Sequence, residues 1–257
     1  MKIYQVDAFT NEVFKGNPAA VVPLESWLPM DVMQKIAAEN NLAETAFFVR
    51  EGDHYHIKWF TPTVEIELCG HATLASAFVM YNYLGYTGNE IRFKCMVGDL
   101  LVKKEADFIV LNFPADAGST IEDISALEKI IGLKIVNAKV GRTKYLAEVE
   151  SEDVIRSYEP DFVALKKLDK QLIITAKGKE VDFVSRFFAP NHGVDEDPVT
   201  GSAHCVLIPY WAEKLGKTEL TAMQLSRRTG FLKCKHLGDR VEMAGQGVCY
   251  LTGDIFF

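Results

Sequence analysis

The sequence has few of the features that mark secreted, membrane or nucleic-acid-binding proteins. Its five cysteines are odd in number and share no C-x-x-C spacing, which argues against a disulfide framework and a zinc site. No stretch approaches the roughly 18 consecutive apolar residues of a membrane-spanning helix, and the first residues read as a strand, not a signal segment. A formal net charge of −7 without a long basic run argues against phosphate-backbone binding. We therefore expect a cytoplasmic protein with reduced thiols, no metal, and no nucleic-acid or membrane partner.

What the sequence does contain indicates a globular protein. It has 257 residues, of which 48% are hydrophobic and 25% are charged, enough apolar side chain for two cores. The length favours two domains over one. We place the first domain at residues 1–114 and the second at residues 115–247. The apolar C-terminal run 248–257 is a candidate strand that pairs back with the first domain.

Hydrophobic periodicity predicts alternating strands and helices in the first half. Strands are expected at 3–9, 19–23, 45–50, 54–60, 91–95, 100–104 and 108–113, and helices at 29–43 and 71–84. Gly52 and Asp53 mark the turn of a hairpin. Glu44 thus falls between a helix end and a strand start.

The second half repeats the first in outline. The stretch FVSRFFAP (183–190) resembles YHIKWFTP (55–62), and each is followed by an acidic loop, a glycine and an apolar helix. Duplication predicts two pseudo-equivalent domains. Pro209 lies inside the second apolar helix and predicts a kink near Cys205, because proline removes a backbone donor.

Two glycines, Gly70 and Gly201, each open one of these apolar helices. A helix start presents unpaired N–H groups and about half a positive charge, which favours an anion such as a carboxylate. A single such glycine is as well explained by a tight strand-to-helix turn. The repetition favours a pair of anion-binding turns that face each other.

Four polar side chains near these turns are candidates for chemistry. Most residues near Glu44 in the sequence are apolar, which predicts that desolvation raises its pKa. A raised pKa suits a group that takes and returns a proton. An exposed glutamate at a helix end fits the same pattern. His71 is either a proton relay or a packed histidine. Ser202 can donate to an anion and Asp197 can accept from an amine or hydroxyl, but both residue types are also preferred helix caps.

Four ordered segments resemble signatures of the phenazine-biosynthesis PhzF-like isomerase family. They are DAFTNEVFKGNPAAVV (7–22), NNLAETAFF (40–48), WFTPTVEIELCGHAT (59–73) and EDPVTGSAHC (196–205), and together they span nearly the whole chain. The resemblance implies the diaminopimelate epimerase-like α/β fold, in which two pseudo-symmetric domains each wrap a curved, mostly antiparallel sheet around a central helix. It also implies a homodimer that works without a cofactor.

The same resemblance implies roles for individual residues. Glu44 matches the family's acid/base glutamate, His71, Asp197 and Ser202 match residues that bind substrate or assist proton transfer, and Gly70 and Gly201 lie at the helix starts. The implied reaction moves a proton, and with it a double bond, on a small, cyclic amino or hydroxy carboxylic acid.

Two alternatives stay open. A cysteine-dependent racemase or epimerase would use thiols on both faces of its substrate; Cys69 stands before Gly70, but we match it in the second half to Val199, which cannot transfer a proton. A non-catalytic small-molecule binding protein would keep the site without turnover.

Overall fold

A computed structural model describes residues 1–257, and the chain divides into two compact units. Unit 1 comprises Met1–Asn112 together with Ala244–Phe257, and unit 2 comprises Phe113–Met243. The strands are β1 (Lys2–Ala8), β2 (Asn17–Leu24), β3 (Glu44–Glu51), β4 (His54–Phe60), β5 (Glu65–Ile66), β6 (Glu90–Cys95), β7 (Gly98–Glu105), β8 (Phe108–Pro114), β9 (Ser119–Thr120), β10 (Asn137–Val140), β11 (Lys144–Glu148), β12 (Gln171–Lys177), β13 (Phe183–Ala189), β14 (Val194–Glu196), β15 (Glu219–Gln224), β16 (Gly230–His236), β17 (Arg240–Gly245) and β18 (Gly247–Asp254). The helices are α1 (Met30–Asn40), α2 (Gly70–Tyr83), α3 (Ser125–Ile131), α4 (Glu152–Ser157), α5 (Phe162–Leu165) and α6 (Gly201–Leu215), and Pro190–His192 forms a short 3₁₀ turn.

Unit 1 alternates parallel and antiparallel strand pairs. Strands β2 and β3 are parallel and α1 connects them, β3 and β4 form an antiparallel hairpin, and β4 and β6 are again parallel with α2 in the connection. Parallel neighbours need a crossover, and the two helices supply it. The hairpin turn falls at Gly52 and Asp53 as predicted, between the paired residues Glu51 and His54.

Unit 2 repeats this order of elements. Strands β11 and β12 are parallel across α4 and α5, β12 and β13 are antiparallel, and β13 and β15 are parallel across α6. Flanking strands match as well, since β1 pairs antiparallel with β2 in unit 1 and β10 pairs antiparallel with β11 in unit 2. The predicted α/β class, with mostly antiparallel strands and a repeated plan, is confirmed.

One long apolar helix lies in the core of each unit. Nine residues of α2 and ten of α6 are buried, because both sequences are apolar around almost the whole helix. Helix α2 contacts β1, β2 and β3, and α6 contacts β11, β15 and β16. Burying each large apolar side chain contributes about 1.5–3 kcal/mol, so these helices stabilise the sheets around them.

The end of α1 differs from the sequence prediction and determines where Glu44 lies. We expected helix over residues 29–43, but α1 ends at Asn40, and Asn41 adopts a left-handed conformation with φ 49°. The N–H of Asn41 donates to the carbonyl of Ala37, which closes the last turn. Glu44 is therefore the first residue of β3 and not a helix-end residue.

Pro209 lies inside α6, which continues on both sides of it. Proline has no N–H to donate to the carbonyl four residues earlier, that of Cys205. That carbonyl instead accepts a hydrogen bond from the N–H of Asp116, at 2.9 Å. The missing helical bond is thus replaced by one from a loop of the same unit.

The C-terminal strand completes the sheet of unit 1. Strand β18 runs antiparallel to β1 from Lys2, opposite Asp254, to Ala8, opposite Gly247. Helix α2 also contacts β18. Among all the helices, none combines the length and apolar character that crossing a membrane requires.

Candidate active site

The first candidate site lies where the chain turns from β5 into α2. Cys69 occupies the N-cap position with extended backbone angles (φ −141°, ψ 110°), and its side chain makes no capping hydrogen bond to the backbone N–H groups of the first turn. Gly70 is the first helical residue. Because no side chain caps this start, the N–H groups of the first turn and their partial positive charge are available to an anion.

Glu44 and His71 meet at this helix start. Glu44 opens β3 and pairs with Ala19 of β2, whereas His71 is the second residue of α2. Nε2 of His71 lies 3.1 Å from Oε2 of Glu44, with the two side chains 6% and 16% exposed. The atoms are at ion-pair distance, yet both are buried and neither makes a hydrogen bond of acceptable geometry. Two buried polar atoms are thus held together without being satisfied.

The environment of His71 favours its protonated form. Burial lowers the pKa of His71, but Cys69 and Glu44 together raise it by more than burial lowers it. The net pKa therefore lies well above the ordinary value of 6.5. Burial, and then the Glu44 charge, raise the pKa of the Cys69 thiol, so Cys69 is neutral at pH 7. We therefore attribute the raised pKa of His71 to the carboxylate of Glu44.

Asn17 is a member of this site whose role the sequence analysis missed. It is fully buried at the start of β2, and its Nδ2 lies 3.2 Å from Nδ1 of His71, so the ring is held on both edges. The preceding Gly16 has φ +64°, and a Cβ there would stand 2.2 Å from the carbonyl oxygen of Ala8. Only glycine fits this position, which explains the glycine directly before β2.

The second candidate site lies at the start of α6 in unit 2. Thr200 is its N-cap residue, with φ −115° and ψ 102°, and Gly201 is the first helical residue. Ser202 follows as the second helical residue and is exposed. The interpretation of Asp197 or Ser202 as the cap of α6 is wrong, because Thr200 occupies that position.

A buried glutamine that the sequence analysis missed holds this loop. Gln224, at the end of β15, accepts from the N–H of Thr200 at 2.9 Å and donates through Nε2 to the carbonyl of Asp197 at 2.7 Å. The hydroxyl of Thr200 donates to Oδ2 of Asp197 at 2.5 Å. Gln224 is fully buried, so these bonds are shielded from water. The half-buried carboxylate of Asp197 is thereby fixed in one orientation.

A second buried histidine, His204, lies one turn into α6. Its Nδ1 lies 2.9 Å from the carbonyl oxygen of Thr200, and its Nε2 has no hydrogen-bond partner. Burial lowers its pKa to about 4, because no carboxylate lies beside it to compensate. His204 is therefore neutral at pH 7, in contrast to His71.

The helix starts also correct our residue matching between the two halves. We matched Cys69 to Val199, but Cys69 and Thr200 are the N-cap residues and each directly precedes the first helical glycine. Thr200 is therefore the counterpart of Cys69, and Ser202 is the counterpart of His71. The conclusion that only one thiol is present at these positions is unchanged.

Comparisons with known proteins identify the family of the chain. A family model described as phenazine biosynthesis-like protein matches residues 6–253. The chain belongs to the PhzF-like isomerase family. An uncharacterized isomerase of Pseudomonas aeruginosa is 49% identical over 99% of this chain and 98% of its own.

Solved structures extend the likeness to the backbone. A crystal structure of a PhzF-family phenazine biosynthesis protein from Enterococcus faecalis superposes with a TM-score of 0.97 at 47% identity, covering 100% of this chain and 99% of the other. A hydroxyproline epimerase from Agrobacterium vitis shares the fold alone, with a TM-score of 0.64 at 10% identity over 98% of this chain and 91% of its own. The PhzF-like fold is thus shared with racemases and epimerases.

Proposed function

We propose that this protein is a cofactor-independent isomerase that moves a proton on a small carboxylic acid, with Glu44 as the acid/base. The observation that carries the proposal is the buried contact between Glu44 and His71, which are 3.1 Å apart at the uncapped start of α2. Membership of the PhzF-like isomerase family supports the same reaction class.

The geometry supports a simple proton transfer. The Glu44 carboxylate removes a proton from a carbon of the substrate, and the electron pair of the broken C–H bond enters a new double bond. The original double bond opens toward a second carbon, which takes the proton back from the Glu44 carboxyl group, so atoms and charge balance. General acid/base catalysis of this kind contributes roughly 10²- to 10⁴-fold in rate.

His71 and the helix start assist this cycle. Protonated His71 stabilises the carboxylate form of Glu44 before each transfer, and so keeps it ready to act as a base. The free N–H groups at Gly70 favour negative charge that develops on the substrate. The acid/base group and a charge-stabilising group thus come from neighbouring elements of one unit.

The substrate class follows from the groups that are offered. We assign substrate binding to the α6 start, where Gly201 and Ser202 suit a carboxylate and the fixed Asp197 accepts from an amine or hydroxyl. These groups favour an amino or hydroxy carboxylic acid, and the family resemblance implies that it is cyclic. A two-cysteine racemase is less well supported, because the counterpart of Cys69 is Thr200, whose hydroxyl is not a practical base.

We further propose that the protein works as a homodimer in the cytoplasm. All five cysteines are free thiols, which suits a reducing compartment. Sedimentation equilibrium at micromolar concentration measures the assembly, and a single species with the monomer mass would contradict the dimer.

The test of function is deuterium incorporation. Small cyclic amino and hydroxy carboxylic acids are first screened by thermal shift, and those that stabilise the protein are incubated with it in D₂O and analysed by mass spectrometry. We expect uptake of deuterium with the wild type, and its loss in Glu44→Gln but not in Glu39→Gln, which alters an exposed glutamate of α1. Full exchange by Glu44→Gln would overturn the proposal, and stabilisation without exchange by any compound would identify a binding protein instead.

A further inference from the structure

The side chains at the α2 start also form a set of metal ligands. Glu44, Cys69 and His71 each offer one ligand atom, and the three atoms lie within 4.8 Å of one another. Carboxylate oxygen, thiolate sulfur and imidazole nitrogen are the three donor types that Zn²⁺ takes from proteins. Two of the residues come from one helix start and the third from the beginning of β3, so the backbone holds the set in place.

The distances are close to those of a coordinated ion. Zn–N and Zn–O bonds of about 2.0–2.1 Å and a Zn–S bond of about 2.3 Å, at tetrahedral angles, place ligand atoms roughly 3.3–3.6 Å apart. Here Nε2 of His71 lies 3.1 Å from Oε2 of Glu44, and Sγ of Cys69 lies 3.4 Å from Nδ1 of the same ring. Because Sγ faces Nδ1 and Oε2 faces Nε2, an ion bound at Nε2 requires the Cys69 side chain to turn toward that nitrogen.

Unsatisfied atoms point independently to a ligand at this place. Oε2 of Glu44 and Nε2 of His71 are buried without a hydrogen-bond partner, and the His71 side chain is more than nine-tenths buried. On the far edge of the ring, Asn17 contacts Nδ1 at 3.2 Å. With the Asn17 amide turned so that its Oδ1 accepts from Nδ1–H, this is the outer contact that orients a metal-bound histidine and leaves Nε2 for the ion.

We infer that Glu44, Cys69 and His71 form a Zn²⁺ site whose occupation stops the isomerase by engaging its acid/base carboxylate. Three protein ligands leave a fourth position open to water or to a substrate carboxylate. The inhibitory part rests on the proposed function, whereas the binding part does not.

Co²⁺ titration of the purified, metal-free protein tests the binding part. Co²⁺ reports a thiolate ligand through a near-ultraviolet charge-transfer band and tetrahedral geometry through visible bands. We expect one equivalent to produce both, and Zn²⁺ to abolish them by displacement. The charge-transfer band should vanish in Cys69→Ala and persist in Cys205→Ala, which removes a half-buried thiol of unit 2.

Two further variants keep the inference falsifiable. Asn17→Ala should weaken Co²⁺ binding by roughly 10- to 100-fold while leaving the spectrum unchanged, as loss of an outer-shell partner does. Cys69→Ser, with thermal melting to confirm folding, should lose the charge-transfer band. A thiolate band that survives in a folded Cys69 variant, or no tetrahedral spectrum in the wild type, overturns the site.

The inhibitory part is read from deuterium exchange. One equivalent of Zn²⁺ should abolish exchange into substrate, and a chelator should restore it. Exchange that continues with the site spectroscopically full overturns inhibition while leaving the proposed function intact. A Co²⁺ spectrum with no exchange on any compound overturns the proposed function while leaving the metal site intact.

Discussion

The starts of α2 and α6 share one backbone plan but hold their side chains in opposite ways. Both begin with an extended N-cap residue that makes no capping bond, followed by glycine. At α2, the facing atoms of Glu44 and His71 are buried and unsatisfied. At α6, Thr200 and Asp197 are tied to each other and to buried Gln224. One start leaves two facing polar atoms without hydrogen bonds, and the other fixes its polar groups through hydrogen bonds.

The buried histidines show the same contrast in charge. Both are almost completely removed from water, which by itself favours the neutral ring. The pKa of His71 is nevertheless raised, because a carboxylate lies beside it, whereas the pKa of His204 falls to about 4 with only a carbonyl for a partner. A neighbouring carboxylate therefore favours the protonated ring at His71, whereas His204, which has none, is neutral at pH 7.

Removing that charge should have the largest effect. In Glu44→Gln we expect isomerisation to fall by roughly 10²- to 10⁴-fold, since the acid/base group is lost. The pKa of His71 should fall, because the carboxylate that opposes the effect of burial is then gone. Rates from deuterium exchange and an NMR titration of the ring measure both, with Glu39→Gln as control. An unchanged His71 titration would break the comparison between the two histidines.

His204 should make stability depend on acid pH. Its pKa is about 4 in the folded state against 6.5 when unfolded, so its contribution is present above pH 6.5 and is lost as pH falls toward 4. The difference of about 2.5 units corresponds to about 3 kcal/mol of unfolding free energy. Urea unfolding from pH 8 to pH 4 should show this slope in the wild type and not in His204→Gln.

His71 should make stability depend on pH in the opposite direction from His204. Its pKa is raised in the folded state, so its contribution is fully present below pH 6.5 and is lost as pH rises through the folded pKa. His71→Gln should therefore flatten the alkaline side of the stability profile and leave the acid side unchanged. Equal slopes in both variants would show that neither histidine sets the profile.

Breaking the fixed network should have a smaller effect. Gln224→Leu leaves the N–H of Thr200 and the carbonyl of Asp197 without their buried partner, which costs about 1–3 kcal/mol of unfolding free energy. Because Asp197 loses its fixed orientation, KM for the substrate should rise more than kcat falls. Urea unfolding and steady-state kinetics measure the two effects, and a loss confined to kcat would argue against a role in substrate binding.

Ser202 should show the smallest effect on stability. It is exposed, so Ser202→Ala should change the unfolding free energy by less than about 0.5 kcal/mol. The substitution should still raise KM, because it removes the hydroxyl that is predicted to bind a substrate carboxylate. An unchanged KM, measured beside that of Gln224→Leu, would remove Ser202 from the binding residues.

The sequence predicted those parts of the fold that depend on local pattern. Apolar periodicity located α2 to within one residue at each end, and Gly52-Asp53 located the hairpin between β3 and β4. The repeated aromatic-x-Pro strand and glycine-led helix revealed two halves of one plan. Glu44 and His71 were named as candidates, but nothing in their spacing showed that they touch.

What the sequence did not reveal depends on pairing between distant segments. Asn17 reaches His71 across 54 positions, and Gln224 reaches Thr200 across 24. Neither residue has a local signature, because a buried amide looks the same in sequence whether or not it has a partner. Matching Cys69 to Val199 failed for a different reason, since aligning the two glycines that open α2 and α6 already places Thr200 opposite Cys69.

The long ladder between β18 and β1 has a consequence for how the protein is made. Strand β1 leaves the ribosome before unit 2, and β18, which covers its second edge, leaves only after every residue of unit 2. During translation that edge is an open template for another chain, the situation in which nascent proteins recruit chaperones or aggregate. The amino group of Met1 lies 3.1 Å from the carbonyl oxygen of Ile255. In a circular permutant that joins these ends and opens a surface loop, β18 and β1 would be synthesised one after the other. The edge of β1 would then be covered as soon as both strands had been made.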